Sequence, residues 1–361
     1  MQETQSFSQL IRTYHSKNDK SVNILRCLEI LKTSSIVQDH SLLFSSLQQY
    51  LENEKNNLQN SNSEEIQTFY LKASPFTWFI KGFENPELYA EVNSKLFEEY
   101  AKYNQKGVRI LDVGAGSGLG FCGAIKQFLR EYPTKLHIDV VEPSDNLSTM
   151  CIEEFAKINH SVNSSENRST ESELDRLSYF ISSMSMETYV TSNELSNQHW
   201  DVIQSSFALH NIKPEDRQKL FKWAITRSEN LFIIEFDAKD KFSSYYPAGS
   251  EELPCIDESF AEFVHNKYES ALKKFYDQGG FTESDDLTTT ESRELSNFVI
   301  QEFLMPIMLD YFNPDQQKST FEQSIDAWRN ELKSVGYNNI STNLVYRYWW
   351  ADCYIIKAAC S

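Results

Sequence analysis

Long apolar stretches and paired cysteine motifs are absent from this sequence. No uninterrupted apolar segment reaches the roughly 18–20 residues that a membrane-spanning helix requires. The first residues (MQETQS) lack the basic and apolar regions of a secretory signal peptide. The 6 cysteines are scattered without C-x-x-C spacing, which argues against a disulfide framework or a zinc site. The sequence therefore predicts a cytoplasmic protein with reduced thiols, no membrane partner and no bound metal.

Positive charge is also in short supply. The 34 lysine and arginine residues are outnumbered by 52 aspartate and glutamate residues, which gives a formal net charge of −18. Such a field repels the phosphate backbone of DNA and RNA, so we expect no nucleic-acid partner. The chain, at 361 residues, is long enough for one enlarged domain or two.

Glycine is scarce, with 11 residues in the whole chain, yet three of them alternate at Gly114, Gly116 and Gly118. The apolar run before them, residues 108–113, predicts a buried strand, and the amphipathic residues 121–132 predict a helix. Glycines let the backbone turn tightly and approach a ligand, and a helix N-terminus offers free N–H groups. This order predicts the opening of a nucleotide-binding βαβ unit.

A second strand is predicted at about Leu136–Val141, and Glu142 follows it directly. This carboxylate lies a little over twenty residues beyond the glycine turn. An acid at that distance can accept hydrogen bonds from both hydroxyls of a ribose. The two predicted strands therefore point to a ligand that contains a ribose.

The residues Leu111–Gly118 (LDVGAGSG) and Val140–Ser144 (VVEPS) resemble the first two motifs of the class I S-adenosylmethionine-dependent methyltransferases. Asp201–His210 (DVIQSSFALH) is similar to the fourth motif of that family. The resemblance covers about residues 108–237, with a further match at 321–358. It implies an α/β fold with a Rossmann-like, seven-stranded, mostly parallel sheet whose last strand is antiparallel. It also implies S-adenosylmethionine as the cofactor and S-adenosylhomocysteine as its product.

The resemblance further implies which residues contact the cofactor. They lie in the first motif, at the exits of the second and third predicted strands, and at the end of the fourth. The residues are Asp112, Gly114, Ala115, Gly116, Gly118, Glu142, Pro143, Ser185, Met186, Ser206 and Phe207. In the family an acid followed by a small residue is frequent after the third strand, and Ser185-Met186 departs from that pattern.

Four segments are predicted along the chain. Residues 1–105 form an N-terminal helical segment, and residues 106–237 form the cofactor-binding core. Residues 238–318 form a helical insertion, predicted to act as a lid over the active site, with a helix kinked at Pro306. Residues 319–361 complete the core with a helix and a β-hairpin. Two local predictions accompany this division: a solvated insertion at 160–173, and a capping box at Ser319–Glu322 that opens the last helix.

Methyl transfer needs an acceptor with an available lone pair, and an acceptor of low acidity needs a general base. His210 is the candidate base, because it follows the fourth strand and histidine titrates near neutral pH. Glu235 and Asp237, at the end of the fifth predicted strand, are candidates to orient the imidazole or to hold the acceptor, and Glu235 is the candidate catalytic residue. The aromatic residues Tyr245, Tyr246 and Trp349 are candidates for binding a flat or cationic acceptor.

These observations predict a methyltransferase that acts on a small molecule, such as a natural product or an amine. Two alternatives stay open: a protein or peptide methyltransferase, and a methyltransferase-like binding protein without turnover. A dehydrogenase is the fourth possibility, because residues 118–123 (GLGFCG) fit the dinucleotide pattern G-x-G-x-x-G. That pattern begins about five residues after the strand, however, whereas the dinucleotide fingerprint starts at the strand end.

Overall fold

The computed structural model describes residues 2–33, 41–59, 73–164, 176–193, 197–238, 258–277, 287–311 and 320–360. The chain forms two compact units, and each unit combines two segments of sequence. One unit comprises Met1–Pro86 and Lys239–Thr320, and the other comprises Glu87–Ala238 and Phe321–Ser361. The predicted N-terminal segment and the predicted insertion therefore belong mostly to one unit, although they are far apart in sequence.

The helices are named in chain order. Their bounds are α1 (Gln2–Tyr14), α2 (Lys20–Thr33), α3 (Leu42–Gln59), α4 (Ala73–Ile80), α5 (Asn85–Tyr100), α6 (Cys122–Glu131), α7 (Asp145–Ser164), α8 (Met186–Ser192), α9 (Pro214–Ala224), α10 (Glu258–Asp277), α11 (Thr289–Val299), α12 (Met305–Tyr311) and α13 (Ile325–Ser334). Short 3₁₀ turns lie at Ala101–Tyr103 and Leu209–Asn211. None of the helices in the described part of the chain is long and apolar enough to span a membrane.

The second unit is built on a seven-stranded sheet. Its strands are β1 (Val108–Val113), β2 (Leu136–Val141), β3 (Leu177–Ser182), β4 (Trp200–Ser206), β5 (Ser228–Phe236), β6 (Asn339–Arg347) and β7 (Asp352–Ala359). They lie in the order β3-β2-β1-β4-β5-β7-β6. Strands β1 to β5 are parallel, whereas β7 pairs antiparallel with both β5 and β6. The fold predicted from the sequence is confirmed.

The sheet is covered on both faces, as its apolar central strands require. Helices α5, α6 and α7 pack on one face around residues such as Ile110 and Ile138. Helices α8, α9 and α13 pack on the other face around residues such as Leu111 and Ile203. Strand β1 pairs in parallel with both β2 and β4, so the carboxyl ends of these three strands meet at one edge of the sheet.

The first unit is helical in its described residues. Helix α2 packs on α1 and α3, and α10 packs on α1 and α3 as well. Between α11 and α12, residues Ile300–Leu304 form a π-helical turn. Pro306 follows this turn and has no N–H to bond the preceding helical turn. The helix that was predicted to kink at Pro306 is therefore interrupted by this wider π-helical turn just before the proline.

Two local predictions are wrong within the described residues. Helix α7 continues to Ser164, so residues 160–164 belong to a helix and not to a solvated insertion; residues 165–173 lie outside the described part. The last helix begins at Ile325, and its N-cap is Ser324, whose side chain accepts a hydrogen bond from the N–H of Ala327. The capping box predicted at 319–322 fails because residues 320–324 are not helical. A capping box does occur at Thr288 and Glu291.

Candidate active site

The turn between β1 and α6 contains the alternating glycines. Gly114, Gly116 and Gly118 have φ angles of +74°, +55° and +85°, a region that residues with a Cβ rarely adopt. An added Cβ at Gly114 would lie 2.3 Å from the Cβ of Ala208, and one at Gly118 would lie 2.7 Å from Sγ of Cys122. Among the described residues, nothing lies within 4 Å of an added Cβ at Gly116 except its chain neighbours. The turn therefore leaves open space at its middle glycine.

Glu142 connects this turn to the end of β2. Its Oε2 accepts the N–H of Gly116 at 2.8 Å, and its Oε1 accepts the N–H of Ser144 at 2.9 Å. Burial raises the pKa of this carboxyl, and the two backbone donors oppose that effect. Each carboxylate oxygen has a second lone pair, so Glu142 can still accept two hydroxyl groups.

Asp112 is the last polar residue of β1 before the turn, and it is 1% exposed. Its Oδ2 accepts a hydrogen bond from Nε2 of Gln204 at 2.7 Å. Its Oδ1 is buried and has no hydrogen-bond partner among the described residues. Oγ of Ser206, at the end of β4, is also buried and without a partner in this set. Buried polar atoms are rarely left unsatisfied, and these two atoms have hydrogen-bonding capacity left for a ligand.

The chain leaves β4 through a strained residue. Phe207 has a φ of +56°, and its N–H donates to the carbonyl of Ile234 at 2.9 Å. Its ring stacks on Phe236 with centroids 5.0 Å apart, and Phe236 stacks on Tyr348 at 5.4 Å. A non-glycine residue in this conformation costs free energy that surrounding contacts must offset, and such residues cluster at functional sites.

His210 lies on the 3₁₀ turn that follows Phe207, and its side chain is buried. Nδ1 of His210 lies 2.9 Å from Oε2 and 3.1 Å from Oε1 of Glu235. The backbone N–H of His210 also donates to Oε1 of Glu235 at 3.2 Å. The structure therefore brings together the two residues predicted as a catalytic pair, although it does not test their role.

The environment of His210 sets its protonation. Burial lowers the pKa of the imidazole, but the charge of Glu235 and its hydrogen bond raise it more, with a further contribution from Glu322; the net shift is upward. Arg217 opposes this rise. A carboxylate only accepts, so Nδ1 carries a proton that it donates to Glu235. The raised pKa favours the protonated imidazole, so only the neutral form of His210 can take up a proton.

Arg217, on α9, holds the turn that carries His210. Its Nη1 donates to the carbonyls of Leu209 at 3.3 Å and Ile212 at 3.1 Å, which lie on either side of His210. The same atom donates to the carbonyl of Phe321 at 3.1 Å, and Nη2 pairs with Glu331 at 3.3 Å. The guanidinium is 1% exposed. It thereby fixes the backbone on both sides of the histidine.

The remaining predicted site residues have different surroundings. Ser185 is the N-cap of α8 and accepts the N–H of Thr188, and Met186 is buried in the core below that helix. Pro143 is exposed and Ala115 is half-buried. Trp349 lies in the turn between β6 and β7, with its ring 5.5 Å from that of Tyr348. Tyr245 and Tyr246 lie outside the described residues.

No metal site is visible in the part of the chain that the structure describes, since no three His, Cys, Asp or Glu side chains come together there. The polar groups found at the strand ends are carboxylates, hydroxyls and backbone N–H groups. They suit an organic ligand with hydroxyl and amino groups.

Comparison with known proteins gives a likeness of fold alone. No protein-family profile and no curated protein matches the sequence. Similar solved structures include an S-adenosylmethionine-dependent methyltransferase from Leishmania major, with 12% identity, coverage of 81% of this chain and 83% of that chain, and a TM-score of 0.42. Another is magnesium protoporphyrin IX methyltransferase from Synechocystis PCC 6803 with bound S-adenosylhomocysteine (10% identity, 91% and 99% coverage, TM-score 0.40). A third is a glycopeptide N-methyltransferase complexed with sinefungin (9%, 74% and 87%, TM-score 0.38).

The strand order 3-2-1-4-5-7-6 with an antiparallel β7 is that of the class I methyltransferase fold.

Three polar residues at the site escaped sequence analysis: Tyr100, Gln204 and Arg217. Gln204 lies inside the predicted fourth strand, where a buried glutamine stands out among apolar neighbours and could have drawn attention. Tyr100 and Arg217 lie on amphipathic helices, where an isolated tyrosine or arginine gives no signal. Their partners are distant in sequence, and only the fold brings them together.

Proposed function

We propose that this protein is an S-adenosylmethionine-dependent methyltransferase whose acceptor is a small molecule of the amine type. One observation carries the proposal: the glycine turn leaves open space at Gly116, whose N–H is held by the Glu142 carboxylate at the neighbouring strand end. Both features lie at the carboxyl edge of the parallel strands, where α/β folds bind ligands.

The residues at this edge fit the cofactor by chemical type. Glu142 has acceptor capacity for two ribose hydroxyls, and the backbone at Gly116 lets a ligand approach closely. Asp112 offers an unfilled acceptor, Oδ1, to a positively charged or N–H-bearing group. When bound, S-adenosylmethionine supplies an electrophilic methyl group on a sulfonium sulfur, and the protein contributes orientation and proton handling.

His210 and Glu235 serve the acceptor in this proposal. An amine that arrives protonated must lose a proton before its lone pair can attack. The Glu235 carboxylate fixes the imidazole through Nδ1, and the neutral imidazole takes up the proton. Arg217 keeps the turn in place while this happens.

Two features support an amine acceptor. The formal net charge of −18 favours the approach of cations. At the carboxyl ends of β4 and β5, the stacked rings of Phe207 and Phe236 and the half-buried Trp349 provide aromatic surface. Aromatic faces attract ammonium groups. We further propose that the protein is cytoplasmic and that the insertion, residues 238–318, acts as a lid.

A methyl-transfer assay tests this function. The full chain is incubated with isotopically labelled S-adenosylmethionine and a panel of small amines, small phenols, basic peptides and RNA, and methylated products are identified by mass spectrometry. The proposal predicts label in an amine and loss of that activity in His210→Ala. Label in peptide or RNA alone would overturn the acceptor class. Cofactor binding without transfer to any class would favour a binding protein without turnover.

A further inference from the structure

A buried hydrogen-bonded chain links helix α5 to the glycine turn. The hydroxyl of Tyr100 donates to Oε1 of Gln204 at 2.6 Å, and Nε2 of Gln204 donates to Oδ2 of Asp112 at 2.7 Å. Tyr100 and Gln204 are 0% exposed, and Asp112 is 1% exposed. The sheet register makes this chain possible, because Gln204 on β4 lies directly opposite Asp112 on β1 and both side chains point to the same face.

The contacts of Tyr100 and Asp112 agree on one orientation of the amide. The phenol donates to Oε1 of Gln204, and Nε2 of Gln204 donates to Oδ2 of Asp112. With Asp112 ionised, the opposite orientation would place Oε1 against the carboxylate oxygen, because an ionised carboxylate only accepts hydrogen bonds. Tyr100 therefore supports the orientation in which Oδ2 of Asp112 receives a donor, while Oδ1 receives none among the described residues.

A carboxylate in this setting is poorly stabilised as an anion. It has a single neutral donor, and its surroundings include apolar residues such as Ile110 and Val202. The titratable groups that face it are Glu142 at the end of β2, Tyr100 on α5 and Cys122 on α6. None of the three is a cation, so the surroundings offer no positive charge to balance the anion.

The pKa of Asp112 agrees with this geometry. Burial raises it to about 7, the Gln204 hydrogen bond opposes the rise, and the charge of Glu142 adds to it. Much of the free protein therefore holds a proton on this carboxyl at neutral pH. Oδ1 is the oxygen without a partner, so it is the natural position for that proton.

S-adenosylmethionine carries positive charge on its sulfonium and its ammonium groups. We infer that Tyr100 and Gln204 are positioning residues that hold Asp112 so that binding of this cation expels the Asp112 proton to solvent. No bond other than O–H is broken, and the positive charge of the cofactor replaces that of the proton. The inference rests on the proposed function, because it requires that this turn binds the cofactor.

Calorimetry measures the proton directly. The full chain is titrated with S-adenosylmethionine at pH 6.5 in two buffers of different ionisation enthalpy, and the difference between the observed enthalpies gives the protons exchanged. At this pH an α-amino group, with an ordinary pKa of about 7.7–8.0, is already protonated, so proton uptake by the ligand does not mask release from the protein. We expect wild type to release a substantial fraction of one proton, because a carboxyl with a pKa of about 7 is mostly protonated at pH 6.5.

Variants assign the proton to its source. Asp112→Asn should abolish the release. Glu142→Gln should weaken binding and reduce the release without abolishing it, because the charge of Glu142 contributes to the raised pKa of Asp112. Tyr100→Phe frees the Gln204 amide, so the pH at which half of the release is lost should move upward. Tyr103→Phe is the matched control, because that hydroxyl accepts from Asn230 elsewhere in the unit; its release should equal that of wild type.

The outcomes separate the inference from the proposed function. Binding with no proton exchange in wild type overturns the inference and leaves the cofactor assignment standing. Release that persists in Asp112→Asn also overturns it, because another group would then be the source. Equal pH midpoints in Tyr100→Phe and Tyr103→Phe would remove the positioning role of Tyr100. Absence of binding overturns the proposed function and the inference together.

Discussion

The turns that leave β1 and β4 lie side by side at the same edge of the sheet, but they are built differently. The turn after β1 uses three left-handed glycines and is flanked by Asp112, a carboxyl with an unfilled buried oxygen. The turn after β4 holds His210 between a buried carboxylate and a buried guanidinium that binds carbonyls on both sides of it. In the proposed function the first turn receives a ligand, whereas the contacts of the second turn hold one side chain in place.

This difference has an energetic counterpart. An ionised Asp112 lowers the free energy of unfolding of the ligand-free protein, because a buried anion with one neutral donor is costly. Arg217 raises the free energy of unfolding, because its buried guanidinium pairs with Glu331 and donates hydrogen bonds to backbone carbonyls. Substitutions in or beside either turn test this difference.

The largest effect should come from Arg217→Met. Loss of the guanidinium leaves Glu331 buried without its partner and removes the donor to three carbonyls, and breaking such a buried pair costs about 3–5 kcal/mol. Arg329→Met is the matched control on α13, because its ion pair with Asp326 is solvent-exposed and contributes little. Urea denaturation followed by circular dichroism would compare the two. Equal midpoints for both variants would show that Arg217 does not hold the turn.

Next in size is the effect of His210→Ala on turnover. Removal of a general base lowers the rate by roughly 10²–10⁴-fold, while the affinity for S-adenosylmethionine should stay near that of wild type. His210→Gln keeps a hydrogen-bonding side chain but cannot accept the proton, so it should fail similarly. If glutamine restored most of the rate, the residue would only position the acceptor. Full activity of the alanine variant would make it a packing residue.

Asp112→Asn should change how stability depends on pH. The pKa of this carboxyl in the folded protein is about 7, against an ordinary value of 3.8, so the folded state binds more protons than the unfolded state between these values. Stability contributed by this group is therefore full below about pH 4 and is lost as the pH rises to about 7, by at most about 1.4 kcal/mol per pH unit. Asparagine cannot ionise and should remove this loss. If the melting temperatures of wild type and variant changed with pH in the same way across this range, the raised pKa would not belong to Asp112.

A smaller effect is expected from Glu235→Gln on the pH profile of turnover. The glutamate raises the pKa of His210, and His210 must be neutral to act as a base, so activity should rise with pH through that raised pKa. Replacing the carboxylate with an amide should move the rise to lower pH. Rate measurements from pH 5 to 9 on a good acceptor would show it. An unmoved profile would mean that the rate reports another group.

The parts of this comparison that were predictable are local. The apolar run of β1, the alternating glycines and Glu142 follow one another in sequence, so pattern and spacing were sufficient to place them. The order of the strands followed from the resemblance carried by the same motifs. His210 and Glu235 were named separately from the exits of β4 and β5, and the parallel pairing of these strands brings them together.

The parts that could not be predicted depend on contacts between distant segments. The Tyr100–Gln204–Asp112 chain joins three elements, and nothing in the local sequence states that the phenol and the amide meet. The start of α13 was misplaced for a related reason. Ser319–Glu322 satisfies a local capping pattern, but the N–H of Phe321 donates to the carbonyl of His210 and the N–H of Ile325 donates to Asp237. These tertiary contacts hold the segment outside the helix.

Titration calorimetry on the full chain tests directly whether the turn after β1 binds S-adenosylmethionine. Wild type should bind this cofactor and not NADH. Glu142→Ala should weaken binding by roughly 10- to 100-fold, as expected for the loss of hydrogen bonds to a charged group worth about 1.5–3 kcal/mol. Glu131→Ala, at the exposed far end of α6, should bind as wild type does. Binding of NADH without binding of S-adenosylmethionine, or equal affinities of all three proteins for S-adenosylmethionine, would show that Glu142 and this turn do not bind the cofactor as proposed.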